Sequence, residues 1–280
     1  MKYTKAKVRK SGVIPNASYS NLRPGYEIVM ELEDGDDIEA CLLEAKEIVN
    51  KHFELDEYRA RVDLLKKQFK TISFYDAPEG LKYPSITSVL NYDKEWFISK
   101  GELLQYGSMG TINHEVFWVA IKTYQKKGKI IWVEPSQIKK LQKHIGIVLN
   151  GSLGLNWDDY SYKKFGDIYI PKLEEIKCIE HEVLYPEIKT GGRLDMVAKF
   201  EGKWSIIDLK TGGYDWRQPA FYAKAWNLTH KEKITQMVIF PIGKTQNKCG
   251  YEKPKIETDI DRYWDEVLDK REEFKNDFNV

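Results

Sequence analysis

The sequence predicts an α/β protein built on a mixed sheet, preceded by a small α+β module. Three observations predict it. Apolar, β-branched runs bounded by turn residues recur at about 177–185, 191–200, 204–210 and 234–240, and read as strands. Stretches with helical spacing lie before the first run, at 102–126, and between the third and fourth, at 218–228. The breaker-rich Asp76-Ala-Pro-Glu-Gly80 separates a module over 1–75 from a larger domain over 76–280, whose core order is α-β-β-β-α-β.

In the module, 2–8 and the alternating 26–32 read as strands. Asp36 or Asp37 then caps a helix with an apolar stripe at Ile38, Cys41, Leu42, Ala45, Ile48, Val49 and Phe53, and a second, charged helix covers 57–69. In the larger domain, helices are expected at 85–90, at 102–126 with interruptions near Gly107 and Gly110, and at 136–149. Glu201-Gly202 is a turn signal that folds the strand from Arg193 back on the strand from Trp204. Along that second strand Ile206, Asp208 and Lys210 share one face and Ile207 and Leu209 the other, so one face packs and the other carries charge. A last helix over 258–274, with Ile260, Tyr263, Trp264, Val267 and Leu268 on its apolar side, packs on the outside of the sheet.

Composition bounds the function. A chain of 280 residues with 42% hydrophobic and 13% aromatic content buries one substantial core and a smaller one. The basic start lacks a following apolar segment, and no run approaches the roughly eighteen apolar residues of a membrane span. A soluble protein with no membrane partner is expected, in the cytoplasm or, if phage-encoded, the host cytoplasm. Cys41, Cys178 and Cys249 form no C-x-x-C pair, so neither a zinc knuckle nor an Fe-S cluster is expected, and free thiols fit a reducing compartment. Gly243-Lys-Thr245 resembles the tail of a P-loop, but Val238 stands where its first glycine belongs, so no ATP site follows. His114-Glu115 has no second histidine at the spacing of a zinc protease.

The hairpin concentrates the chemistry. It brings Asp195 within reach of Asp208 across neighbouring strands, and upstream Glu180 and Glu182 lie on one face of the strand that precedes them. Carboxylates that converge repel one another and raise each other's pKa unless a cation lies between them, and an all-oxygen set suits Mg²⁺ or Mn²⁺. Lys210 sits beside them to position water or offset charge on a phosphate. A lone D-x-K on a strand is usually a solvated ion pair. Here it keeps company with Gly192-Arg-Leu-Asp195 upstream and with Gln218 and Tyr222, one helical turn apart, downstream.

In these residues the chain resembles the PD-(D/E)XK nuclease superfamily, in its RecB-like exonuclease branch of phage and mitochondrial genome maintenance exonucleases. The resemblance covers roughly 83–241: Pro84-Ser-Ile-Thr-Ser-Val-Leu90, Gly110-Thr-Ile-Asn-His114, G-R-L-D, Asp208-Leu-Lys210 and Gln218-x-x-x-Tyr222. It implies a restriction-endonuclease-like core with added helices. It implies that His114, Asp195, Asp208 and Lys210 are catalytic, that His114, Asp195, Asp208 and Glu180 or Glu182 hold the metal, and that Gln218 and Tyr222 border nucleic acid. The expected activity is Mg²⁺-dependent exonucleolytic hydrolysis from DNA ends, free or single-stranded, in replication, recombination or repair, with Mn²⁺ able to substitute. An endonuclease of the same fold and a non-catalytic nucleic-acid-binding protein are the alternatives.

Net charge is only +1, so nucleic-acid binding needs a local basic surface. Lys122, Lys126, Lys127, Lys129, Lys139, Lys140 and Lys143 offer one along the His114 helix and its successor, while Tyr214, Trp216 and Trp226 offer rings to unpaired bases. The module over 1–75 is left the role of docking a replication or recombination protein.

Overall fold

The computed structural model describes residues 5–11, 14–15, 21–22, 25–33, 36–69, 72–94, 100–134, 137, 161–243 and 248–280. The helix expected over 136–149 lies outside the described residues, as do Lys139, Lys140 and Lys143 and the segment from Lys244. Two compact units emerge, Met1–Tyr92 with Lys270–Val280, and Asp93–Asp269. Both mix helices with strands.

In the first unit, β1 (Lys5–Ser11) pairs antiparallel with β4 (Gly25–Glu31), and the two-residue β2 (Ile14–Pro15) with β3 (Asn21–Leu22). Helix α1 (Ile38–Gln68) starts where Asp37 accepts hydrogen bonds from the amides of Glu39 and Ala40, which satisfies donors that the first turn leaves free. It runs without a break where two helices were expected. Tyr58, Val62 and Leu65 continue the buried stripe of Ala45 and Val49, so tertiary packing carries the helix through its polar centre. Asp76 to Gly80 is a hairpin turn between β5 (Phe74–Ala77) and β6 (Leu81–Pro84), and Ser85 caps the short α2 (Ile86–Asn91).

The second unit is a five-stranded sheet in the order β11-β10-β9-β8-β7. Strands β7 (Leu173–Tyr185), β8 (Thr190–Phe200) and β9 (Lys203–Lys210) form an antiparallel meander, β10 (Gln236–Pro241) joins β9 in parallel, and β11 (Lys255–Glu257) closes the edge antiparallel. Glu201 and Gly202 both take left-handed backbone (φ 52° and 77°), as a two-residue hairpin requires. The parallel step from β9 to β10 is bridged by α5 (Arg217–Thr229), which packs on the sheet. Helices α3 (Lys100–Lys127) and α4 (Tyr162–Tyr169) bury Ile112, Val116, Phe117 and Phe165 against Met196, Phe200, Ile207, Leu209 and Phe240. Helix α6 (Ile260–Phe278) ends the chain's elements, with Trp264 tilted against Tyr185 at 4.8 Å between ring centres.

Two expectations change here. Gly107 and Gly110 do not interrupt α3. The charged face of β9 is itself covered: Ile206 and Ile207 are both fully buried and Asp208 is 2% exposed, because β9 is a central strand with helices on both sides. Among the described residues no helix is long and apolar enough to cross a membrane.

Phe240 anchors this core, fully buried with the rings of Phe165, Phe200, Phe117 and Tyr169 centred 4.9 to 6.4 Å away. Phe240→Ala is expected to destabilise the protein by about 3–5 kcal/mol through lost transfer energy and the cavity left behind. Urea denaturation monitored by tryptophan fluorescence measures it, and a loss within about 1 kcal/mol would mean the site collapses freely.

Candidate metal centre

Register places the acidic groups together. Ile179 pairs with Met196 and His181 with Leu194, so Glu180 stands across from Asp195. Backbone pairing of β8 with β9 begins at Met196 and Ile207, one step before Asp195 and Asp208 would meet. There the Leu209 amide donates instead to Asp195 Oδ2 at 2.7 Å. The carboxylate occupies the gap where the strands part, and its second oxygen, Oδ1, lies 3.8 Å from His114 Nδ1.

Helix α3 supplies that histidine because it comes close to the end of β9. A Cβ added at Gly110 would lie 3.3 Å from Thr211 Oγ1, so the missing side chain lets helix and strand end approach without that threonine giving way. One turn on, His114 faces the carboxylates, and another turn on, Trp118 donates Nε1–H to Glu180 Oε1 at 3.0 Å. Ligand atoms of His114, Glu180 and Asp195 all lie within 4.8 Å of one another. Glu180 adopts φ 54°, a left-handed backbone that costs a glutamate roughly 1–3 kcal/mol. Polar contacts from Trp118 and Arg193 hold its side chain there. Glu182, paired across the strands with Arg193, is outside the group, whereas Arg193 reaches Glu180 at 3.5 Å.

Asp208 and Lys210 complete the cluster. Lys210 Nζ lies 2.8 Å from Asp208 Oδ2 and donates to Gln218 Oε1 at 2.9 Å, and Gln218 Nε2 donates to the Tyr222 hydroxyl at 2.9 Å. The Asp208 oxygen is buried and, despite the ion pair, makes no hydrogen bond of acceptable angle. Gln218 and Tyr222 thus orient the lysine from α5, with Tyr222 itself 2% exposed.

The electrostatics follow from burial. Burial raises Asp195 to about 6 against the pull of Lys210, and likewise raises Asp208 to about 6, with Asp195 adding repulsion. Burial also lowers His114, against the attraction of Asp208, so its imidazole is neutral near pH 7 and free to offer a lone pair. Burial disfavours the Lys210 ammonium, but Asp208 and Asp195 together outweigh it and the net shift is upward, so it stays charged. Two carboxylates that burial keeps from ionising easily, a neutral imidazole and the Glu180 carboxylate fit a hard divalent cation, Mn²⁺ or Mg²⁺. Glu180, Asp195 and His114 would hold it, with Asp208 beside them.

Sequence reasoning left Glu180 and Glu182 unseparated and gave Trp118 and Arg193 no role at the site. Trp118 was legible as the residue four after His114, on the same helix face. Trp226, considered for stacking on bases, is 1% exposed, donates Nε1–H to the Glu232 carbonyl and stacks on His230 at 3.5 Å, so its faces are taken. Lys122, Lys126, Lys127 and Lys129 are exposed at the far end of α3. Glu180→Gln is expected to weaken Mn²⁺ binding about 10- to 100-fold, while Glu182→Gln leaves it nearly unchanged. Calorimetric titration reads both, and equal losses would remove the distinction between them.

No protein-family model matches the chain, and no curated protein matches it.

Proposed function

We propose that the chain is a Mg²⁺-dependent deoxyribonuclease of the PD-(D/E)XK kind, which hydrolyses phosphodiester bonds from DNA ends. The observation that carries this reading is the convergence of Glu180, Asp195 and His114 next to the Asp208–Lys210 pair. The element order α3-α4-β7-β8-β9-α5-β10 supports it, since, apart from the added α4, it is the α-β-β-β-α-β order of the resembled nucleases. Service in replication, recombination or repair is the biological role that goes with it.

In hydrolysis, water oxygen bonds to phosphorus, the P–O bond to the leaving sugar oxygen breaks, and that oxygen takes up a proton. A bound Mg²⁺ would supply Lewis acidity toward a phosphate oxygen and make water a stronger nucleophile near neutral pH. Lys210, charged at that pH, offsets negative charge that builds on the phosphate as the bond changes. Gln218 and Tyr222 fix its direction, so little reorganisation is needed during reaction. Glu180, pinned by Trp118, and Asp195, pinned by the Leu209 amide, hold their oxygens convergent before any ligand arrives.

End-labelled linear DNA and a covalently closed circle, each incubated with Mg²⁺, test the reading. Degradation of the linear form alone, lost in Asp208→Ala, supports an exonuclease. Cutting of the circle would replace it with an endonuclease, and activity unchanged in both Asp208→Ala and Lys210→Ala would reject the assignment.

A further inference from the structure

Beyond the carboxylates, a cavity of about 310 Å³ opens at the carboxyl ends of the parallel strands β9 and β10. Lys210 lines it as well as the cluster, and Thr211-Gly212-Gly213-Tyr214 form its wall opposite Ile239 and Pro241. We propose that this cavity receives one unpaired nucleobase of the strand whose phosphate lies at Lys210. The inference rests on the hydrolytic reading for the phosphate, but its own support is separate.

First, the cavity's chemistry suits a base better than a second phosphate. Pro241 and Tyr214 give apolar and aromatic surface, Ser161 and Thr211 give polar edges, and Glu252, paired with Lys255 at 3.4 Å, adds an acceptor. Second, the aromatic wall is braced yet open. Tyr214 is 45% exposed and meets Trp216 edge to face at 5.4 Å, and Trp216 in turn lies 6.3 Å from Tyr263. With close to half of its surface exposed, Tyr214 keeps ring area available for stacking. Third, the two glycines leave room: a Cβ at Gly212 or Gly213 meets no atom within 4 Å, and neither has the positive φ that would demand glycine. Glycine at both positions leaves this stretch of wall bare of side chains, so a flat ligand can approach the backbone closely.

A base reaches such a cavity only when it is unstacked and unpaired, so the substrate class is single-stranded or frayed DNA. Fluorescence anisotropy of labelled decathymidylate, with Ca²⁺ replacing Mg²⁺ to limit cleavage, compares wild type with Tyr214→Ala, Tyr214→Phe and Gly213→Leu. The expected result is affinity lowered about tenfold in Tyr214→Ala and Gly213→Leu, the scale of one base–aromatic stack, and retained in Tyr214→Phe. Thermal midpoints unchanged in all three would assign the losses to binding. Equal affinities in wild type and variants, or no binding of the single strand by wild type, would overturn the inference. Tyr214-dependent binding without any cleavage in Mg²⁺ or Mn²⁺ would uphold it and sink the hydrolytic reading. Cleavage in Mg²⁺ with variant affinities unchanged would do the reverse.

Discussion

Asp195→Asn is expected to abolish metal-dependent cleavage, by about a thousandfold or more, and at the same time to make the metal-free protein more stable at pH 8. The two effects share one cause. Burial raises the Asp195 carboxyl to about 6, so the native state prefers it protonated. A raised pKa contributes stability that is fully present below the unfolded value near 4 and is lost as pH rises through about 6. At pH 8 the wild type therefore holds a charged, crowded carboxylate at a cost of order 2 kcal/mol, which the neutral amide avoids. Asparagine keeps an oxygen for the Leu209 amide, so the strand end stays satisfied. Thermal unfolding at pH 4 and pH 8 checks the sign: the variant should gain only at the higher pH. Saturating Mg²⁺ should reverse the order, because it binds and stabilises the wild type alone. A variant less stable than wild type at pH 8 without metal would show that Asp195 braces the fold rather than serving a cation.

Lys210→Met should cost about 10²- to 10³-fold in rate by removing the ammonium beside the carboxylate cluster, with most of the loss in kcat. Its stability signature is opposite to that of Asp195→Asn. The lysine opposes the burial that raises Asp208 and Asp195, and its removal sends both carboxyls further above about 6. Breaking a buried ion pair leaves an uncompensated charge and costs about 3–5 kcal/mol at pH 8. Below the raised pKa both carboxyls are protonated in variant and wild type, so the difference should shrink at pH 5. Unfolding by urea at the two pH values measures it. A loss that is the same at both would mean that Lys210 contributes packing and the Gln218 hydrogen bond rather than charge.

Much of the second unit was legible in the sequence because local signals agreed with the final packing. The Glu201-Gly202 turn, the runs that became β7 to β10 and the apolar face of α5 each carry their own period or turn chemistry. What stayed hidden depends on neighbours far along the chain. Pro78 and Gly80 read as a boundary but turn a hairpin, because turn residues do not say whether the flanking segments pair. Gly107 and Gly110 read as breaks, yet α3 passes through them, since the helix is held by its buried face. Helix α4 went unnamed, although Tyr162, Phe165 and Tyr169 are spaced for one buried face.

The site divides in the same way. Asp195, Asp208 and Lys210 sit on strands whose alternation and hairpin register could be read directly. Glu180 could not be separated from Glu182 by alternation, because a left-handed backbone and a hydrogen bond from Trp118, sixty-two residues away, decide between them. The aromatic partners sorted by burial in a way that sequence does not contain: Tyr214 stays open and Trp226 is closed over by His230.

The account turns on a cation gathered by Glu180, Asp195 and His114 beside Lys210, and crystals soaked in Mn²⁺ test that most directly. Anomalous scattering should show a peak about 2.2 Å from carboxylate oxygens of Glu180 and Asp195, with the Lys210 ammonium close by and uncoordinated. A peak confined to surface carboxylates, with those oxygens still turned to Trp118 and the Leu209 amide alone, would contradict it.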